Sequence, residues 1–232
     1  MNRMGVMRMR LFLLMLLAGA SLFAIDFSPV LGHIDHFTYR VHVYENGYIF
    51  VRYPEFTFES ANAALLNEKV ESIVENMWRY WAKDIENNIR EGFGDRTSYA
   101  LDFQITLVTD RLVSMTFEDY AFLGGAHGNG FMRSLNFDIE RGTVLQLKDL
   151  FVDGTDYIAQ INHFVREYFQ RVQTIAPFKS IKEDQDFYIT GRGLIIFFQR
   201  YEYTPYAAGN PEVFIPFSSL RGLKDWVMKI SR

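Results

Sequence analysis

Few side chains in this sequence have both the type and the setting for chemistry, and they gather in two places. The first is His127, inside Tyr120-Ala121-Phe122-Leu123-Gly124-Gly125-Ala126-His127-Gly128-Asn129-Gly130. An imidazole framed by glycines can be reached by solvent, and beside a carboxylate such as Asp119, Asp138 or Glu202 it could carry out general acid–base catalysis. The competing expectation is structural: the ring hydrogen-bonds backbone or a tyrosine hydroxyl and pins the loop to the Pro205-Tyr206 turn. The second place is Tyr201-Glu202-Tyr203-Thr204-Pro205-Tyr206-Ala207-Ala208-Gly209, which follows an apolar run. The two stretches are expected to meet. Gly124, Gly125, His127, Tyr201, Tyr203 and Tyr206 are therefore the candidate ligand-binding residues. No catalytic residue is assigned, because no serine sits in a Gly-x-Ser-x-Gly elbow and the chain has no cysteine.

Two other chemistries are set aside. His33, His36 and His42 with Asp35 could suggest a metal. Their segment reads as the entrance to a strand, where residues three apart face opposite sides, and their spacing is not that of a helical zinc site. The glycine loop lacks the Lys-Ser/Thr ending of a phosphate-binding loop and runs into a strand instead of a helix. The expectation is no metal and no cofactor.

The elements that must position these residues follow from periodicity. Phe37, Tyr39, Val41 and Val43 alternate, Asn46-Gly47 turns, and Tyr48 to Tyr53 returns, a hairpin that Pro54 is expected to stop. From Ser60 to about Arg90, apolar residues recur at three and four, giving an amphipathic helix, broken at most once. It carries Leu65, Leu66, Val70, Ile73, Val74, Met77, Trp78, Trp81, Ile85 and Ile89 on one stripe and ends at Gly92 and Gly94. Residues 97–108, 112–120 and 131–139 alternate as an antiparallel meander turning at Asp110-Arg111. A second helix spans about Asp153 to Thr174, capped by Asp153 or Thr155 and closed by Pro177. Phe187–Thr190 and Leu194–Phe198 form a hairpin whose second strand is central. Val213–Phe217 is a last strand and Ser218–Ile230 a closing helix.

The fold class is therefore α+β: antiparallel sheet packed against one long helix in the N-terminal half and a second helix in the C-terminal half. At 232 residues and 49% hydrophobic content the chain can bury its own core without disulfides. Arg3, Arg8 and Arg10 precede the apolar run Leu11–Leu17 and the small residues Ala18, Gly19, Ala20 and Ala24, the pattern of a secretory signal over residues 1–24. The apolar run is short for a membrane span, so cleavage is expected over retention as an anchor. Removing that segment shifts the formal charge from −4 to about −7. An acidic domain is a poor partner for nucleic acid or anionic membrane. Residues 25–232 are expected to form the exported domain, periplasmic or extracellular, with a division into 33–143 and 144–232.

Several stretches resemble the RsiV/PdaC-like extracytoplasmic domain family. They are Gly124-Gly125-Ala126-His127-Gly128, Phe137-Asp138-Ile139-Glu140-Arg141-Gly142, Leu147-Lys148-Asp149-Leu150-Phe151, Phe187-Tyr188-Ile189-Thr190, Gly193-Leu194-Ile195-Ile196-Phe197, Tyr201 to Gly209, and Val213-Phe214-Ile215-Pro216-Phe217. The resemblance covers roughly residues 36–220. It implies a domain of the kind that binds lysozyme in the anti-sigma factor RsiV and stands beside the deacetylase module of PdaC. Only ten residues precede the apolar run, so a cytoplasmic sigma-binding segment is not expected, and no separate deacetylase module with its aspartate and paired histidines is found. What the resemblance implies is a monomeric or weakly associating, non-enzymatic envelope binding module recognising a lysozyme-like protein or a peptidoglycan fragment. The alternative is an envelope glycan or peptide hydrolase using His127 and a nearby carboxylate.

Overall fold

The computed structural model describes residues 31–34, 37–45 and 48–230, with side chains from residue 41 onward. The expected leader and the Asn46-Gly47 turn lie outside the described residues, as do the side chains of His33 and His36. The described chain forms two compact units. The first takes residues up to Glu59, then Ala63–Asp102 and Asp119–Gly130; the second takes Ser60–Asn62, Phe103–Glu118 and the chain from Phe131 on. Seven strands hydrogen-bond in chain order, and a separate sheet has three.

In the first unit β1 (Leu31–Ile34), β2 (Phe37–Glu45) and β3 (Ile49–Thr57) are antiparallel, with Val43 opposite Arg52 and Val41 opposite Pro54. The strand does not stop at Pro54 as the sequence suggested. Its other neighbour, β4 (Ser98–Val108), is bonded only where Ile49–Val51 meets Tyr99–Leu101. Pro54 thus lies where that second ladder has ended and a missing N–H costs nothing. The β3–β4 pairing is parallel, a departure from the expected all-antiparallel meander. The long helix α1 (Asn62–Arg90) is the crossover that parallel neighbours require.

Helix α1 is continuous over 29 residues. Leu66, Val70, Val74, Met77, Trp78, Trp81 and Ile85 form its buried face, while Leu65 is 40% exposed and falls off the stripe. Each buried aliphatic side chain stabilises by about 1.5–3 kcal/mol over leaving it in water. Gly92, at φ +86°, ends the helix in a Schellman turn: its N–H reaches Ile89 O at 3.1 Å and the Phe93 N–H reaches Asn88 O at 2.8 Å. Both tryptophans are core, as the stripe predicts; Trp78 packs edge-on against Tyr99 with centroids 5.1 Å apart.

Strand β5 (Leu112–Phe122) belongs to the second unit as far as Glu118 and to the first from Asp119, and it is buried at every position from Leu112 to Phe117, on both faces. It pairs antiparallel with β6 (Met132–Asp138), which pairs with β7 (Thr143–Val144). The three-stranded sheet has β9 (Gly193–Phe197) between β8 (Phe187–Thr190) and β10 (Glu212–Pro216), so the apolar β9 is central as expected. A buried polar network joins β8 to the strands of the larger sheet. Ser114 Oγ accepts from the Ile189 N–H at 2.8 Å and donates to Asn136 Oδ1 at 2.7 Å, while Asn136 Nδ2 donates to Phe187 O at 2.7 Å.

Helix α2 (Tyr157–Phe169) is shorter than the periodicity suggested. Its cap is Asp156, whose carboxylate accepts from the Ala159 N–H at 3.0 Å, because Gly154 at φ +83° turns the chain just before it. It ends well before Pro177; Val172, beyond its end, still packs on the core formed by Leu150, Ile161, Val165, Ile189, Ile196 and Ile215. The expected closing helix over 218–230 is reduced to α3 (Asp225–Met228). Gly222 interrupts it: φ is +71°, and a Cβ there would lie 2.3 Å from Thr155 Oγ1.

Candidate functional site

The glycine loop is a tight excursion from the end of β5 in the first unit. Ala121 and Asn129 close it as a two-bond bridge, N–H to O at 2.7 and 2.9 Å. Gly124 and Gly125 take φ of +87° and +107° with open space around them, so conformation is what they supply. Gly128 and Gly130 answer to space: a Cβ would fall 2.4 Å from Ala121 O and 1.8 Å from Asp119 O, respectively. The Tyr120 hydroxyl accepts from the Gly128 N–H at 2.8 Å. His127 is exposed, and its Nδ1–H donates to Gly128 O at 2.9 Å, so one ring nitrogen holds backbone and Nε2 is the other.

Beneath the loop Asp119 is 1% exposed and accepts from Trp81 Nε1 at 3.0 Å and from the Tyr99 hydroxyl at 3.3 Å. Burial, and then the charge of Asp119, push the Tyr99 hydroxyl well above the ordinary tyrosine range. His42, the remaining described member of the rejected metal group, lies 2.6 Å from Glu55 and stacks on Tyr53. Among the described residues no cluster of three or more His, Cys, Asp or Glu side chains could hold a metal ion.

The aromatic stretch belongs to the second unit. Its base is a turn in which the Glu202 N–H donates to Gln199 O and the Gln199 N–H donates to the Glu202 carboxylate, both at 3.1 Å. Tyr201 sits within this turn at φ +65°, a left-handed conformation rare for a tyrosine, with its ring 49% exposed. The Tyr206 ring lies 5.6 Å from it, tilted by 32°. Arg200 places its guanidinium 5.8 Å from the Tyr206 ring and pairs with Glu118. Tyr203 points the other way in role: its ring packs at 5.1–5.6 Å against Phe169, Phe178 and Phe198. Of the three tyrosines, Tyr201 and Tyr206 are brought together, and Tyr203 anchors their turn.

A cleft of about 480 Å³ opens beside this turn. Arg133, Lys182, Asp184, Asp186, Arg200 and Glu202 supply its charge, and Phe197 and Tyr201 its apolar surface. Arg133 Nη1 is 3.7 Å from Asp186 Oδ2 and Lys182 Nζ is 4.0 Å from Glu202 Oε1. Burial holds the Asp186 carboxyl above its ordinary range; Arg133 opposes that shift, and Asp184 and Glu202 add to it. The sequence alone singles out neither the charged run Lys182 to Asp186 nor Arg133. A run of charges gives no sign of what it faces; the flanking Phe187 and Ile181, both buried, were the signal that the run is held at both ends.

The comparisons agree with this architecture. The family model described as "Deacetylase PdaC" matches residues 42–130, and that described as "Protein of unknown function (DUF3298)" matches residues 148–218. The earlier part of the described chain is thus similar to the first family and the later part to the second. The chain is 25% identical over 126 residues to the peptidoglycan-N-acetylmuramic acid deacetylase PdaC of Bacillus subtilis, a match covering 54% of this chain and 26% of that protein. The chain therefore spans about a quarter of the curated relative. A DUF3298-family protein of Bacteroides fragilis superposes with a TM-score of 0.60 at 16% identity, covering 90% of this chain and 97% of that one. One from Pseudomonas aeruginosa gives 0.58 at 20% identity, covering 89% and 96%. Both solved structures share the fold. Among the described residues no helix is long and apolar enough to cross a membrane.

Proposed function

We propose that this PdaC/DUF3298-like domain is an exported, non-enzymatic binding module of the cell envelope that recognises a peptidoglycan-derived ligand or a lysozyme-like protein. The observation that carries the reading is the exposed Tyr201 ring, set against the half-buried Tyr206 ring on a hydrogen-bonded turn beside the charged cleft. Tyrosine rings offer large contact area at little entropic cost, and a backbone fixed at both ends of the turn preorganises them. The similarity to the Bacillus peptidoglycan-N-acetylmuramic acid deacetylase supports a ligand from that polymer. The reading takes His127, whose Nδ1 holds its own loop, as a structural residue, in keeping with the absence of a Gly-x-Ser-x-Gly elbow or a cysteine from the sequence. Export is supported by the basic-then-apolar pattern of the first residues.

The test is a calorimetric titration of the protein with a soluble muropeptide and, separately, a c-type lysozyme, each at two salt concentrations. Tyr201→Ala and Tyr206→Ala are expected to weaken binding at least tenfold while leaving the unfolding transition in place. Absence of binding to both ligands at tens of micromolar overturns the module. Turnover of the muropeptide that disappears in His127→Ala would replace it with the hydrolase.

A further inference from the structure

The lining of the cleft is balanced in sign, with Arg133, Lys182 and Arg200 against Asp184, Asp186 and Glu202. Arg200 is already paired with Glu118 and faces the Tyr206 ring. The other ion pairs are not closed. Arg133 and Asp186 stand at 3.7 Å and Lys182 and Glu202 at 4.0 Å, both beyond hydrogen-bonding distance. Loose, partly exposed pairs of this kind lose little when a ligand separates them. The neutral amides of the lining are engaged elsewhere: Gln199 binds both the N–H and the carbonyl of Met132, at 3.0 and 2.8 Å, and Gln185 donates to Phe197 O at 2.8 Å. The charged groups are what the cleft presents. A ligand of one sign would meet as many like charges as opposite ones, whereas a ligand carrying both signs is matched and others are rejected.

We infer that the cleft receives the zwitterionic portion of a short peptide: a free ammonium among Asp184, Asp186 and Glu202, and a carboxylate at Arg133 and Lys182. Small apolar side chains of such a peptide meet Phe197 and Tyr201. The diamino-acid stem peptides attached to peptidoglycan glycan strands have this chemistry, so the inference deepens the binding-module reading and rests on it. The Asp186 carboxyl is raised chiefly by burial, with Asp184 and Glu202 adding to the shift, and an ammonium placed among the three would relieve the carboxylates' part of it.

The experiment is a titration of the protein with four probes: a disaccharide-tetrapeptide muropeptide, the same molecule acetylated on its free amine, the same molecule with its terminal carboxylate amidated, and a peptide-free chitotetraose. Asp186→Asn and Lys182→Gln are titrated alongside; Lys182 is 72% exposed, so its variant should keep the fold. Acetylation, amidation and each substitution are expected to weaken binding at least fivefold, with chitotetraose bound more weakly than the muropeptide. Equal affinity for free and acetylated muropeptide, or no effect of either substitution, overturns the zwitterion assignment while the binding module stands. Binding of lysozyme alone has the same meaning. If neither the muropeptide nor lysozyme binds, both readings fall.

Discussion

Trp81 and Asp119, 38 residues apart, meet at 3.0 Å, tying the middle of α1 to β5 at the point where the glycine loop departs. The loop's shape therefore rests on a buried carboxylate held by an indole and a phenol. Asp119→Ala would leave Trp81 Nε1 and the Tyr99 hydroxyl without this acceptor inside the core, costing about 3 kcal/mol. Asp119→Asn keeps one acceptor and is expected to cost less. Urea unfolding of both variants decides it; equal losses would mean that the charge, not the acceptor, matters.

The glycines of the loop should separate into two classes. Gly130→Ala drives a methyl into Asp119 O and is expected to destabilise by about 3 kcal/mol or more. Gly124→Ala meets no atom and strains only φ, at a cost of about 1–2 kcal/mol. Thermal melts that rank the two in the opposite order would contradict this division.

Ser114 is a hinge of the polar network in the second unit, bonded to Ile189 and Asn136 and 3.0 Å from Thr106 Oγ1. Ser114→Ala strands a buried N–H on β8 and is expected to cost about 1–3 kcal/mol. Ser72→Ala on the exposed face of α1 should stay within about 0.5 kcal/mol. Hydrogen exchange at Ile189, faster in Ser114→Ala, would localise the loss.

Asp186 gives a pH signature. Its folded-state pKa is raised above the ordinary 3.8, so its contribution is full below that value and is lost as pH rises through the folded value. At neutral pH the ionised group is a small cost. Asp186→Asn should therefore stabilise by no more than about 1 kcal/mol at pH 7, the carboxyl being partly exposed, with no difference below pH ~3.8. A variant less stable than the parent at pH 7 would show that the Arg133 pairing outweighs burial.

Much of the fold was legible because its signals are periodic. Helix α1 could be read from Leu66 to Ile85 at three and four, its end from Gly92, and the β8–β9 hairpin from its apolar runs. What sequence could not show was pairing. Whether β3 meets β4 in parallel depends on where α1 returns the chain, and whether Pro54 breaks a strand depends on which neighbour it lacks. Gly154 and the Asp156 cap set a later start for α2 than the periodicity suggests, while at the other end its hydrophobic stripe continues past the helix, with Val172 still packed on the core. The candidate site divides likewise. The glycine loop and the Tyr201–Tyr206 turn announce themselves by composition. The cleft is assembled from Arg133 on β6, the loop before β8 and the turn after β9, and no local pattern links them.

Asn67 and Gln199 share an arrangement with a consequence for the protein's behaviour at high concentration. Each side-chain amide binds both the N–H and the carbonyl of a single residue, Phe56 for Asn67 and Met132 for Gln199. Each does for one residue what an added strand would do, and so occupies backbone groups that another molecule could otherwise use to extend a sheet. Conversion of either amide to a carboxylate by spontaneous deamidation would remove the donor and set a negative charge against a carbonyl. Asn67→Asp or Gln199→Glu, made deliberately, should therefore be visible as self-association at high concentration before any loss of the core.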